Sequence, residues 1–250
     1  MVKGFLERNG HVVFEPEMRF SVDNAGSYFR QLTDFAVDWC VNCAGARPAP
    51  GVAASELWVV NALLPQCCNV LLPAEVGVVQ ASTDGVFRPD QAGRRREEAP
   101  DATDAYGWSK RLAELGVGGP RRHVIRCSII GPERGTPRSL LGRVLGQETT
   151  LSGYTNHWWN GITTLEWALL CQDIISGEKT APALIQPGFW PAITKHDLLR
   201  LILDTYERPT KLVPAVAPSP VARTLVPDPQ VRSIGEQLVD LKTYSAKWAC

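Results

Sequence analysis

Along the chain, short continuous apolar runs alternate with stretches in which apolar residues recur every three or four positions. The first pattern marks strands buried on both faces and the second marks amphipathic helices. Their alternation predicts an α/β fold around a parallel sheet. Val2 to Arg8 reads as a short helix stopped by Asn9-Gly10, and His11 to Phe14 as a short strand. A helix is predicted from Ser21 to Phe35 with Ser21 as its cap, then a strand from Trp39 to Ala44, broken by Gly45 and the Pro48-Ala-Pro50 turn. Ser55 is expected to cap a helix running to about Leu72, strained internally by Pro65, and Val76 to Ala81 to be a fully buried strand.

The polar stretch Arg88 to Thr103 reads as a surface loop. Its run Arg94-Arg-Arg-Glu-Glu98 is expected to be solvated, with a phosphate patch as the alternative. Asp104 is placed to cap a helix to about Leu115, ended by Gly116 to Gly119, and Val124 to Ile130 forms another buried strand closed by Gly131-Pro132. Beyond it, helices are predicted at Ser139 to Gln147, Thr163 to Ile175 and Lys195 to Tyr206, with a strand at Ala183 to Gln186 and a meandering connection from Val213 to Pro229. The division is a sheet domain over residues 1–135 and a smaller lobe over 136–250, some of whose elements return to the sheet.

Composition narrows the picture. The 250 residues suit one large α/β domain with a small lobe. With 26 basic against 26 acidic residues, the surface is not one built to grip nucleic acid or anionic lipid. No apolar run reaches the roughly 18 to 20 residues of a membrane helix, and Met1 to Gly10 lacks the apolar core of a secretory signal, so a cytoplasmic location is expected. The seven cysteines are odd in number and scattered, which favours reduced, buried thiols. Cys40 and Cys43 form a C-x-x-C, but strand alternation puts them on opposite faces, and no second pair matches them, so no metal is expected.

Candidate chemistry centres on Tyr106-Gly-Trp-Ser-Lys110, preceded by Gln80-Ala-Ser-Thr-Asp84 at the end of a buried strand. Tyr106 and Lys110, four apart, share one helix face, where an ammonium lowers the phenol pKa from about 10. Such a tyrosine passes a proton to or from a carbonyl oxygen while hydride moves at carbon. A Ser82 or Thr83 hydroxyl at the strand's carboxyl end, where open α/β sheets bind ligands, can hold the same oxygen. The spacing alone is weak, since an exposed Tyr/Lys pair is ordinary on helices; the order strand, Ser-Thr, loop, helix, strand strengthens it.

In that order the sequence resembles the extended short-chain dehydrogenase/reductases, and within them the dTDP-4-dehydrorhamnose reductase-like, sugar-nucleotide branch. The resemblance rests on Ser82-Thr-Asp-Gly-Val-Phe87 and Asp104-Ala-Tyr-Gly-Trp-Ser-Lys110. It is extended by Val41-Asn-Cys-Ala-Gly45, Val60-Asn-Ala-Leu-Leu-Pro65, Val124-Ile-Arg-Cys-Ser-Ile-Ile-Gly131, Trp159-Asn-Gly-Ile-Thr-Thr-Leu-Glu166 and Ile193-Thr-Lys-His-Asp-Leu-Leu199. It implies a Rossmann-like doubly wound sheet, an NADP or NAD cofactor and a nucleotide-sugar substrate; a homodimer is compatible with it. By position it makes Thr83 the catalytic hydroxyl, with Ser82 the runner-up, Tyr106 the general acid, and Lys110 its partner and a ligand of the nicotinamide ribose. Ala44 and Gly45 would lie against the cofactor's ribose or adenylate side, and Ser128, Ile129 and Ile130 against the nicotinamide. Asp84, Val86, Phe87, Trp159, Asn160 and Gly161 would border the sugar. Asn61 would support this network or bridge backbone within its own helix, and Trp158 and Trp159 would serve as a ligand wall or as lobe packing. His157 and His196 read as surface or capping residues.

One part of the family pattern is missing. Such a chain is expected to open with a strand and a Gly-x-x-Gly-x-x-Gly turn that brings backbone N–H groups to the pyrophosphate. Here Met1 to Gly10 resembles the helix that follows that turn, and the first strand is absent. Two expectations follow: the sequence begins inside a longer chain, short by roughly 10 to 15 residues, or dinucleotide binding has been lost. The intact Ser/Thr–Tyr–Lys set favours the first. The functional expectation is reduction of a 4-keto nucleotide sugar, or a related epimerase or dehydratase reaction; the alternative is a non-catalytic relative that binds a sugar nucleotide or a partner protein. Glu15 and Arg19 both fall where NAD and NADP are told apart, so that choice reads either way.

Overall fold

The computed structural model describes residues 1–115, 119–132, 139–146, 149–177 and 181–248. Its helices are α1 (Val2–Arg8), α2 (Ala25–Asp34), α3 (Ala54–Trp58), α4 (Leu64–Leu71), α5 (Ala105–Leu115), α6 (Leu140–Leu145), α7 (Thr164–Ser176), α8 (Lys195–Thr205) and α9 (Ile234–Trp248). The strands are β1 (Trp39–Asn42), β2 (Gly77–Ser82), β3 (Arg122–Arg126), β4 (Ile129–Ile130), β5 (Thr150–Tyr154), β6 (Trp158–Trp159), β7 (Ile162–Thr163), β8 (Leu184–Ile185), β9 (Ile193–Thr194) and β10 (Lys211–Ala215).

The main sheet is parallel in the order β1-β2-β3-β8, with Asn42 level with Gln80 and Ser82 level with Arg126. Neighbouring residues of β2 feed different cores, as strand alternation requires. Val78 packs with Phe29 and Leu32 of α2 and Leu64 and Cys68 of α4. Val79 packs with Ile125, Ile185 and, from α7, Trp167, Cys171 and Ile174. Helices thus cover both faces, the doubly wound α/β arrangement expected of a sheet this apolar. A third core gathers α1, α6, α8 and α9 around Leu141, Leu198, Ile202, Leu238 and Leu241. The division drawn at residue 135 lies outside the described residues. From the second half, β8 joins the sheet and α7 packs on its face.

Several local expectations are corrected. No strand forms at His11–Phe14. The outer side of β1 is bordered instead by a cavity of about 580 Å³, lined by Val13 and Phe14 on one side and Trp39 and Val41 on the other, so the segment has no ladder partner. The helix expected from Ser21 starts at Ala25: Asn24 accepts from the Ser21 N–H at 2.8 Å and donates to the Arg19 carbonyl at 2.8 Å, folding the intervening residues into a turn. The expected Ser55–Leu72 helix starts at Ala54 and is interrupted by a wide π turn at Val59–Leu63, which leaves Pro65 in the first turn of α4, where its missing donor costs least. The predicted strand Val124–Ile130 ends at Arg126, and Ile129–Ile130 leaves the sheet to pair with β7. Arg94 is buried rather than solvated. Its guanidinium pairs with Glu98 and Asp101 and lies 5.1 Å from the Phe87 ring centre, while its backbone bridges to Leu225. His196 is buried in α8, whose cap is Thr194, and α9 and β10 fall where no regular element was expected. Gly116, Gln147 and Cys250 lie outside the described residues.

The departure of β4 from the sheet depends on Gly161. The Ile162 N–H donates to the Ser128 carbonyl at 2.9 Å, and a Cβ on Gly161 would lie 2.1 Å from that same oxygen. Backbone on both sides leaves nothing flexible to yield. Gly161→Ala is therefore expected to destabilise the chain by about 1–3 kcal/mol, read as a lower urea midpoint; an unchanged midpoint would contradict the close approach.

Candidate active site

The carboxyl ends of β1, β2 and β3 open onto a cavity of about 370 Å³. It is lined by Ala44, Gly45, Asn61, Ser82, Thr83, Tyr106, Lys110, Ser128 and Ile129, so the structure brings these sequence-predicted residues together. Cys43, Ala46, Arg47, Ala81 and Cys127 complete the wall.

Three consecutive residues at the end of β2 meet one face of α5. Asp104 caps that helix through the Gly107 N–H at 2.9 Å, and Gly107 allows its first turn to approach, since a Cβ there would lie 2.5 Å from the Gly85 carbonyl oxygen. Tyr106 and the Thr83 hydroxyl lie together beside the Gly85 turn and line the same cavity. Lys110 donates to the Ala81 carbonyl at 2.8 Å. Ser82 donates to Glu114 at 2.6 Å. Tyr106, Lys110 and Glu114 stand four apart and share the face. Thr83 also accepts from the Gly85 N–H at 3.0 Å and donates to Asp84 at 3.0 Å, fixing the turn that leaves the strand.

Electrostatics departs from expectation at Tyr106. Its pKa lies above the ordinary value because burial disfavours phenolate, with the Asp84 charge adding to this. The Thr83 hydroxyl, Arg47 and Arg223 oppose the rise, and Lys110 is not among the groups that lower it, its ammonium being turned to the Ala81 carbonyl. Tyr106 therefore keeps its proton at neutral pH. Lys110 is lowered to about 8, chiefly by burial, with the Glu114 charge pulling it back up. Asp84 is raised by burial against the opposing Arg223 and Lys195 charges.

Two asparagines tie the rim. Asn61, in the π turn, clasps Ala46 by accepting from its N–H and donating to its carbonyl, both at 2.8 Å, and reaches Ser109 of α5 at 3.1 Å. Asn42 donates to Gln80 at 2.8 Å and accepts from the Ala44 N–H at 3.1 Å. Both readings of Asn61 hold at once, since it bridges backbone and supports the cavity wall. Cys43 opens to the surface at the cavity, whereas Cys40 turns to Cys68 on the α4 side, so the thiols of the C-x-x-C diverge and the expectation of buried thiols fails at Cys43. Among the described residues no group of three His, Cys, Asp or Glu side chains is placed to hold a metal ion.

The residues expected to border a sugar lie outside this cavity wall. Val86 and Phe87 are fully buried beneath it. Trp159 is buried and donates from its indole N–H to the Ser128 hydroxyl at 2.7 Å, with the Lys195 ammonium 5.4 Å from its ring centre; Trp158 is exposed. Asn160 is spent on the Leu225 backbone, donating at 2.7 Å and accepting at 3.1 Å, and thereby pins the segment that carries Arg223. Sequence reasoning missed Glu114, Arg126, Arg47 and Arg223. Glu114 was legible in principle, four residues beyond Lys110 on the same face. Arg126 was legible as a charge inside an apolar strand.

Compared by sequence, the chain matches no family model and no curated protein. Compared by structure, it shares its fold with solved reductases. It superposes on a dTDP-4-dehydrorhamnose reductase from Bacillus anthracis in complex with NADP with a TM-score of 0.77 at 15% identity, over 97% of this chain and 95% of that one. For a dTDP-4-dehydrorhamnose reductase from Clostridium acetobutylicum the values are 0.73 and 15%, over 90% and 88%. A dTDP-glucose 4,6-dehydratase from B. anthracis in complex with NAD gives 0.68 and 15%, over 92% and 79%. The fold is thus the Rossmann-like α/β fold that these solved structures share. No helix of the described residues is long and apolar enough to cross a membrane.

Burial of Lys110 has a measurable consequence. Its lowered pKa means that the ammonium is present below about 8 and lost as the pH rises through that value. In an NMR titration of labelled lysines, Lys110 is expected to titrate near 8 while exposed lysines titrate near 10.4. A Lys110 midpoint with the others would contradict its placement.

Proposed function

We propose that this chain is an NAD(P)-dependent reductase of a 4-keto nucleotide sugar, with Tyr106 as general acid. The observation that carries the reading is the convergence of Thr83, Tyr106 and Lys110 on one cavity at the carboxyl ends of the sheet. Its support is the fold shared with nucleotide-sugar reductases, one of them in complex with NADP.

The residues fit the nicotinamide half of the cofactor. A cavity of about 370 Å³ lies within the ~300–1,000 Å³ typical of ligand pockets. It presents the Tyr106 hydroxyl and the Lys110 ammonium to a ribose, and Ser128 and Ile129 to the ring. Ala44 and Gly45 at the end of β1 form the adjoining wall. The sequence holds no glycine-rich turn for the diphosphate. When bound, the cofactor supplies hydride to the keto carbon.

Everything else belongs to the chain. Tyr106 holds a proton at neutral pH and gives it to the developing alkoxide. Thr83 lines the same cavity as Tyr106 and would turn its hydroxyl from Asp84 to the same oxygen to orient it. Lys110, cationic below about 8 and held at the Ala81 carbonyl, would bond the nicotinamide ribose. Trp159 fixes the Ser128 hydroxyl at the cavity wall.

The open outer side of β1 favours one other reading, a sugar-nucleotide binder without turnover. NADPH separates the two. Under the proposal NADPH raises the thermal midpoint of the chain and is consumed when dTDP-4-dehydrorhamnose is added. Tyr106→Phe keeps the thermal shift and loses about 100-fold or more in turnover. Full turnover in Tyr106→Phe would overturn the catalytic assignment. A midpoint that rises with a nucleoside diphosphate but not with NADPH would favour the binder.

A further inference from the structure

Glu114 has no part in the proposed chemistry, yet it is the most constrained carboxylate around the site. Its side chain is 8% exposed and that of Arg126 is 3% exposed. Arg126 grips it with two bonds, Nε to Oε1 at 2.9 Å and Nη2 to Oε2 at 2.6 Å. Arg126 is itself held by Gln186 at 3.1 Å and by the Arg96 carbonyl at 3.3 Å, with the Phe87 ring centre 5.1 Å from its guanidinium. With its orientation fixed, Glu114 accepts the Ser82 hydroxyl at 2.6 Å.

Two consequences follow for the neighbouring reacting groups. The Ser82 proton is directed at Glu114, which leaves Thr83 as the hydroxyl free of α5 beside Tyr106 in the cavity. Glu114 also sits one helical turn beyond Lys110 on the same face. An isolated ammonium would be costly in that buried position; a fixed carboxylate beside it offsets the cost.

We propose that Glu114, locked by Arg126, is a positioning residue of this site: it turns Ser82 away from the reaction and supplies the negative charge that keeps Lys110 an ammonium. The assignment rests on the reading of Tyr106 and Lys110 as the reacting pair. The ionisable groups facing Lys110 are Glu114 and Tyr106 from its own helix, Cys43 from the end of β1 and Cys127 from the end of β3. Burial raises the Cys127 thiol, which stays uncharged near pH 8. Among the charges acting on Lys110, Glu114 has the largest effect, ahead of the Cys43 and Cys127 thiols.

The test is the Lys110 titration, read by NMR on the full chain, in Glu114→Gln and Glu114→Asp. Glutamine keeps an acceptor for Ser82 and removes the charge, so the Lys110 midpoint should fall by roughly one unit from about 8. Aspartate keeps the charge and should restore the midpoint towards that of the parent chain. The alkaline limb of NADPH consumption should move down with the midpoint in Glu114→Gln. If Glu114→Gln does not fold, because Arg126 is left buried without its partner, the Glu114→Gln/Arg126→Met double variant removes both charges, and the Lys110 midpoint should still fall, by less than in Glu114→Gln because the lost guanidinium offsets part of the effect. An unchanged Lys110 midpoint, or an equal fall in Glu114→Asp, would overturn the proposal. A midpoint that falls as expected while Tyr106→Phe keeps full turnover would leave Glu114 as the partner of Lys110 and overturn the reading of the site as catalytic.

Discussion

The grip of one helix face on one strand end is the constraint on which the site depends. Residues 81, 82 and 83 leave β2 with a carbonyl and two hydroxyls that the sheet does not use. Lys110 and Glu114 of α5 take up the first two, and Asp84 and Gly85 hold the Thr83 hydroxyl beside Tyr106. A parallel strand ending in a helix-bound turn always has such orphan groups. Here they are satisfied by the side chains that the proposed chemistry requires, so stability and function draw on the same bonds. Gly107 makes the approach possible, because only a missing Cβ lets the first turn of α5 lie against the Gly85 carbonyl.

The rest of the molecule holds that unit in place. The Arg126–Glu114 pair reaches from β3 to α5, and Arg126 goes on to Gln186, beyond the last strand of the sheet. The Phe87 ring lies about equally close to the Arg126 and Arg94 guanidinium groups, which ties the turn after β2 to the polar loop. Asn160 and Arg94 both bond the backbone around Leu225, so the loop, the lobe and the meandering segment meet at one seam beside the cavity. Buried charge of this kind adds little net stability when complete and costs several kcal/mol when broken. Its use is to fix one arrangement.

How much of this the sequence shows depends on the kind of signal. Apolar periodicity located β2, α5, α7 and α8, because each buries a face whose pattern is written locally. The spacing of Tyr106 and Lys110 and the Ser82-Thr83 pair placed the centre of the cavity for the same reason. Misreadings came where distant partners decide. His11–Phe14 has strand character and no strand beside it, since the outer side of β1 is a cavity. Arg94 looks solvated among charges, yet Phe87, Glu98 and Asp101 enclose it. Trp159 and Asn160, expected at the sugar, also bond Ser128 and Leu225, partners far away in sequence that no local pattern shows. The expected effect of Lys110 on Tyr106 failed because spacing says which side chains share a face, and not which way each one turns.

The central claim is that the end of β2 and the face of α5 open as one unit, held by the Lys110, Glu114 and Thr83 contacts. Native-state hydrogen exchange measures this directly. The Gly85 amide, held by the Thr83 hydroxyl, should exchange with the same opening free energy and denaturant dependence as the central amides of α5. A Gly85 amide that exchanges through a separate, low-energy local opening while α5 stays protected would contradict the account.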